Sequence, residues 1–265
     1  MNKIPKVLIT GSTDGIGKQT AEELAENRYK IIIHGRNQDK VDRVKKYLKN
    51  HTGNKNIYSL VADFTDFYEV EQMAKSIKRE HRDIDIVVNN AGVFNDKREI
   101  TVDGNEKTFQ VNYLAHFLLT KRILKNLKWD NSKKIINVAS VSHSKKIDFD
   151  NLKGEKSFSG HEAYELSKLC MIMFTFYLAD RFDESDLLVN CLDPGTINTK
   201  LLEKGWGTIG EDVDVGAWNL IHLIEDVKEK TGQYFVNQKP MRPAEICYDK
   251  AAQKKLIKIS NNLTG

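Results

Sequence analysis

What most constrains the fold of this chain is the alternation of short apolar runs with longer amphipathic segments. The runs at 7–10, 31–34, 58–62, 84–89, 134–139, 187–192 and 234–236 are continuously apolar rather than alternating. That is the pattern of strands buried on both faces of a parallel sheet. Between them the spacing predicts helices over 16–27, 38–49, 66–80, 101–128, 161–182 and 214–225, with a last one near 248–262. Strands that alternate with helices are joined by right-handed crossovers, so the expected fold is α/β, a doubly wound parallel sheet of about seven strands flanked by helices. The 265 residues, 40% of them hydrophobic, are enough for one such domain over 1–265.

The first predicted strand runs into the turn TGSTDGIG at residues 10–17, followed by an amphipathic helix. Glycines here let the backbone approach a pyrophosphate closely. The helix N-terminus adds unpaired N–H groups and the positive end of its dipole. Gly11, Ser12, Thr13, Gly15, Ile16 and Gly17 are therefore candidate contacts for a dinucleotide in a Rossmann-type fold. The spacing is GxxxGxG, and its position between first strand and first helix gives it weight beyond an ordinary tight turn. After the second strand stands Gly35-Arg36, where a carboxylate would bind a ribose 2′-hydroxyl. A guanidinium there suits a 2′-phosphate, which favours NADP(H) over NAD(H). Asp14 argues the other way if its charge lies near that phosphate, and otherwise serves turn chemistry.

A formal net charge of +4, with Lys and Arg interspersed among Asp and Glu, describes a solvated surface and not a nucleic-acid footprint. The three cysteines, Cys170, Cys191 and Cys247, are odd in number and far apart, which points to a reducing compartment. No group of residues has metal-ligand spacing. The first apolar run is too short for a membrane span, and no later stretch reaches that length without charges, so the expected location is cytoplasmic.

Several further motifs stand in a characteristic order. They are Asp63 after the third strand, Asn89-Asn90-Ala91-Gly92, Asn112, Ser140, the run Tyr164 to Lys168 (YELSK), and the run Pro194 to Thr199 (PGTINT). Together with the glycine turn they resemble the short-chain dehydrogenase/reductase family over nearly the whole chain. Within it, the chain is most similar to the branch of retinol dehydrogenases and related carbonyl reductases. The resemblance implies that Asp63 hydrogen-bonds the adenine amine and that Phe64 flanks its ring. It further implies that Asn90, Ala91 and Gly92 line the middle of the cofactor. Pro194, Gly195, Thr196, Ile197 and Thr199 would hold the nicotinamide end. The implied catalytic set is Asn112, Ser140, Tyr164 and Lys168, with Asn112 positioning a water in a proton relay and Lys168 binding ribose hydroxyls. The branch also implies a possible homodimer through the helices 101–128 and 161–182.

Tyr164 and Lys168 stand one helical turn apart and share a face. A free phenol has a pKa near 10, roughly. An ammonium about 4 Å away contributes on the order of 4 kcal/mol at an effective dielectric near 20, which would lower the phenol toward neutrality. Tyr164 would then exchange a proton with the oxygen of a carbonyl or alcohol, Ser140 would hydrogen-bond that oxygen, and Tyr164 and Lys168 would also touch the cofactor. The segment 200–214, with Leu201, Leu202, Trp206 and Ile209 among glycines, reads as a flap over a small lipophilic substrate. The family resemblance implies a retinal-like, steroid, quinone or aliphatic carbonyl, without choosing between them. The alternative is a catalytically silent cofactor-binding regulator or interaction protein on the same fold, against which the intact set of four residues counts. His143 and His116 read as packing residues rather than as a base or a metal ligand.

Overall fold

The computed structural model describes residues 4–127, 133–182, 186–207 and 209–265. Lys128, at the end of the predicted fourth helix, and Thr208, within the 200–214 segment, lie outside the described residues.

The predicted strands appear as β1 (Lys6–Ile9), β2 (Lys30–Gly35), β3 (Ile57–Val61), β4 (Ile86–Asn89), β5 (Lys134–Val138), β6 (Leu188–Asp193) and β7 (Tyr234–Val236). An eighth, β8 (Lys239–Met241), follows β7 after two residues of positive φ, Asn237 and Gln238, which turn the chain back into an antiparallel edge. The sheet order is β3-β2-β1-β4-β5-β6-β7-β8, parallel up to the last pair. Side-chain alternation explains why both faces are apolar. Leu8, Ile32, Val87, Ile135 and Val189 point into one core, while Val7, Ile9, Ile31, Ile33, Val88 and Ile136 point into the other.

The helices are α1 (Gly15–Glu26), α2 (Gln38–Thr52), α3 (Phe67–Glu80), α4 (Lys107–Phe109), α5 (Ala115–Asn126), α6 (Gly160–Ala179), α7 (Lys200–Trp206), α8 (Val213–Glu225) and α9 (Lys250–Thr264). Local sequence sets their starts. Asp14, Asn37, Asp66, Ser159, Thr199 and Asp249 each cap a helix by accepting a backbone N–H, a contact worth about 1 kcal/mol. The predicted fourth helix is shorter than 101–128 and is not uniform. Glu106 caps α4 through Thr108 and Phe109, and a π-helical stretch, Gln110–Leu114, joins α4 to α5. Part of the predicted flap is α7, capped by Thr199 and ended by Gly207 at φ 83°.

α9 lies against the elements through which a dimer was expected. Tyr113 Oη and Ser260 Oγ are 2.8 Å apart, and Lys121 Nζ donates to Asn261 Oδ1 at 2.6 Å, while α9 also packs on α6. Among the described residues, no helix is long and apolar enough to cross a membrane.

Candidate active site

Chain order reverses between β1 and β4, so the helices that follow them lie on opposite faces of the sheet and leave a crevice beyond the C-terminal ends of the strands. The turns that leave β1 to β6 enclose a cavity of about 980 Å³, at the upper end of the range for small-molecule sites. Arg36, Asp63 and Phe64 line it from the β2 and β3 side, and Ser140, Tyr164, Lys168 and the 194–199 turn line it from the β5 and β6 side.

The glycine turn is shaped for close approach. Gly11 has φ +65°, and a Cβ there would lie 2.7 Å from Ala91 Cα, so the turns after β1 and β4 touch through backbone. A Cβ on Gly17 would meet Asn90 Nδ2 at 2.5 Å. Asn90 locks the same turn by donating Nδ2 to the Thr10 carbonyl at 2.8 Å. Gly11, Thr13, Gly15, Ile16 and Gly17 all line the cavity, as do Asn90, Ala91 and Gly92. Ser12 does not: its hydroxyl is buried, donating to the Ile9 carbonyl at 2.8 Å and accepting from His34 N at 2.9 Å. Its side chain therefore ties β1 to β2.

Arg36 is exposed at the cavity rim. Asp14, the acid that argued against a phosphate, is paired with Lys40 at 2.8 Å and Lys200 at 2.7 Å, and also caps α1. These lysines hold its carboxyl down at about 2 despite the opposing effect of partial burial, so its charge is compensated on two sides. Asp63 uses Oδ1 to accept from Thr65 N and Thr65 Oγ1, both at 2.9 Å. Phe64 is buried and stacks on His34 with ring centroids 4.5 Å apart.

At the other end, β5 delivers Ser140 and α6 delivers Tyr164 and Lys168. Lys168 is buried and donates Nζ to the Val138 carbonyl at 2.9 Å, leaving two N–H groups for other partners. Its ammonium lies 5.4 Å from the centre of the Tyr164 ring. The Ser140 side chain faces the Tyr164 hydroxyl, and the Tyr164 ring meets Trp206 of α7 edge-on at 5.2 Å. The expected lowering of the phenol by Lys168 is not what the geometry produces. Burial dominates and pushes Tyr164 upward, with Asp193 adding to it and only Ser140 opposing. Burial also pushes Lys168 down to about 8, with Asp193 opposing.

Asp193 is a site residue that the sequence reading missed. It ends β6 and lines the cavity with 4% exposure, accepting from Val141 N at 2.9 Å and Gly195 N at 3.0 Å. Burial raises its carboxyl, while those hydrogen bonds, Ser140 and the Lys168 charge counter it. An acid before a Pro-Gly turn at a strand end is the one sequence signal that could have found it. Asn112 does not line the cavity. Its carboxamide accepts from Val93 N at 2.8 Å and donates to the Val93 carbonyl and Ser167 Oγ, both at 3.0 Å. Pro194, Gly195, Thr196, Ile197 and Thr199 all line the cavity. His143 is a packing residue that bridges the Ser140 carbonyl and Ala244 N.

The sequence model of the short chain dehydrogenase family matches residues 5–208. The chain belongs to the short-chain dehydrogenase/reductase family. It is 37% identical to retinol dehydrogenase 13 of Mus musculus over 98% of this chain and 83% of that protein. It is 31% identical to polyprenol dehydrogenase of Homo sapiens over 97% of this chain and 84% of that protein. Among solved structures, an uncharacterized protein from Mycobacterium paratuberculosis superposes with a TM-score of 0.82 at 24% identity, covering 98% of this chain and 93% of the other. A short chain dehydrogenase from Escherichia coli CFT073, complexed with NADPH, gives a TM-score of 0.69 at 25% identity, covering 89% of this chain and 97% of the other. The chain is thus an oxidoreductase of this family acting between alcohol and carbonyl groups, with retinol dehydrogenase-like relatives and a nicotinamide cofactor.

Proposed function

We propose that this enzyme uses NADP(H) to interconvert a carbonyl and an alcohol on a small lipophilic substrate, with Tyr164 exchanging the proton. The observation that carries the proposal is the assembly of Ser140, Tyr164 and Lys168 on the wall of the cavity that begins at the glycine turn. That cavity fits a dinucleotide: a backbone-lined channel with α1 directed at it, an arginine at the rim and two spare donors on Lys168. When bound, the nicotinamide supplies or accepts the hydride.

The protein's share is positional and protonic. Tyr164, kept protonated by burial, donates to the carbonyl oxygen, and Ser140 holds that oxygen beside it. Lys168 offers its free N–H groups to ribose hydroxyls. Asn112 keeps its relay role in this reading only through its backbone carbonyl, which also accepts from His116 Nδ1 at 3.0 Å, since its carboxamide is committed to Val93 and Ser167.

The segment 200–214 acts as a flap in this reading. Leu201, Leu202, Trp206 and Ile209 line the cavity, Ile209 is 70% exposed, and Gly207 supplies a left-handed hinge. Apolar groups at that mouth suit a lipophilic substrate, in line with relatives named for retinol and polyprenol. The three cysteines are free and buried, which suits the reducing cytoplasm. The test is NADPH consumption over aldehydes and ketones of graded polarity. Turnover that favours apolar members supports the proposal, and preference for charged carbonyls, or NADPH binding without turnover of any member, contradicts it.

A further inference from the structure

Two buried histidines flank the start of the glycine turn, and nothing in the proposed chemistry uses them. His34, on β2, has Nδ1 3.1 Å from Gly11 N and Nε2 3.1 Å from the Ala62 carbonyl. His116, on α5, has Nδ1 3.0 Å from the Asn112 carbonyl and Nε2 2.9 Å from Thr10 Oγ1. The fixed partners decide where the protons lie. A backbone N–H can only donate, so His34 Nδ1 is the acceptor, and Nε2–H donates to Ala62. A carbonyl can only accept, so His116 Nδ1–H is the donor.

Both rings are buried, at 3% and 0% exposure, and burial pushes them down to about 4 and about 3, so each is neutral. His116 Nε2 is then a lone pair, and Thr10 directs its one hydroxyl proton there at 2.9 Å, in preference to the more distant Val88 carbonyl at 3.3 Å. That leaves the Thr10 oxygen to accept from Asn90 N at 2.8 Å and Ala91 N at 3.0 Å. The result is a directed chain, from the Asn90 and Ala91 amides to Thr10, to His116, to the Asn112 carbonyl. It joins the turn after β4, the turn after β1 and the π-helical stretch. Phe64 spaces the two rings, stacked on His34 at 4.5 Å and edge-on to His116 at 5.2 Å.

We infer that His34 and His116 are positioning residues for the dinucleotide, held in opposite neutral tautomers so that His34 presents a lone pair to the Gly11 N–H and His116 presents one to the Thr10 hydroxyl. The inference rests on the reading of this cavity as the cofactor site. Geometry makes the substitution pattern asymmetric. An Asn oxygen reaches the place of Nδ1 and a Gln oxygen the place of Nε2, so His34→Asn keeps the acceptor for Gly11 and His34→Gln loses it. At position 116 the order inverts, with His116→Gln keeping the acceptor for Thr10 and His116→Asn losing it.

The test measures NADPH dissociation constants by fluorescence titration for the four variants, alongside their melting temperatures. His34→Gln and His116→Asn should weaken binding roughly tenfold or more, the cost of one unsatisfied buried partner. Their counterparts should stay within about threefold of the unsubstituted protein. Equal losses within each pair, or losses that simply follow melting temperature, overturn the inference. Long-range ¹⁵N–¹H spectra of the unsubstituted protein provide a second readout that does not depend on the variants folding. They should show His34 protonated at Nε2 and His116 at Nδ1, and a shared tautomer overturns the inference. An unsubstituted protein that binds no dinucleotide contradicts the proposed function instead, and the tautomers then still decide the hydrogen-bond assignment.

Discussion

Replacing Arg36 by alanine should separate the two nicotinamide cofactors. Arg36 follows β2 directly, is exposed and lines the cavity rim. A guanidinium paired with a phosphate is worth about 1.5–3 kcal/mol when well formed. Solvent at the rim puts the value in the lower half of that range, and Lys40, which also lines the cavity, retains some attraction after the substitution. Asp14 subtracts little, because Lys40 and Lys200 already compensate it. At about 1.4 kcal/mol per decade, the dissociation constant for NADPH should rise roughly 10- to 30-fold. That for NADH, which has no phosphate there, should change by less than about twofold. Fluorescence titration of both cofactors at one low ionic strength reads the contrast, which should shrink as salt is raised. Equal losses for NADH and NADPH would refute the assignment of Arg36 to the 2′-phosphate.

Other expectations follow from the same geometry. Gly11→Ala combines a φ of +65° with a Cβ 2.7 Å from Ala91 Cα, so it should destabilise the fold by more than about 2 kcal/mol; denaturant melts within about 0.5 kcal/mol of the parent would contradict this. Since burial raises Tyr164, the phenol stays protonated through neutral pH. Carbonyl reduction should therefore be nearly flat from roughly pH 6 to 8, while alcohol oxidation, which needs the phenolate, should rise with pH. A reduction rate that falls away near neutrality would show a phenol already ionised. Because α9 is hydrogen-bonded to Tyr113 and Lys121 and packs on α6, light scattering should give the monomer mass of 30.3 kDa; a dimer mass would show that copies associate despite α9 or through another surface.

Most of the sheet was legible because each inner strand is buried on both faces and so carries a run that no surface helix would. The glycine turn, Ser140, Tyr164 and Lys168 were legible as fixed separations along an alternating pattern, and the fold brings them to one cavity. What escaped had no periodic signal. β8 is three exposed residues containing Pro240, behind a turn made by Asn237 and Gln238 with no glycine to announce it. The π-helical stretch has the same apolar spacing as the helices on either side and differs only in its hydrogen bonds. α7 sits among Gly205, Gly207 and Gly210, which read as loop until Thr199 is seen to cap it. The direction of the Tyr164 shift depends on burial in three dimensions, which a helical spacing cannot report. His116 was read as a packing residue, and only its contact with Thr10, 106 positions away, gives it a further part.

The most direct test of the account compares the unsubstituted enzyme with Tyr164→Phe, using NADPH and an apolar aldehyde or ketone. Phenylalanine keeps the ring that meets Trp206 and Phe94 and removes only the hydroxyl that faces Ser140. In the variant kcat should fall by roughly 10² to 10⁴ while the NADPH dissociation constant stays within about twofold. Turnover that survives the substitution unchanged would contradict it.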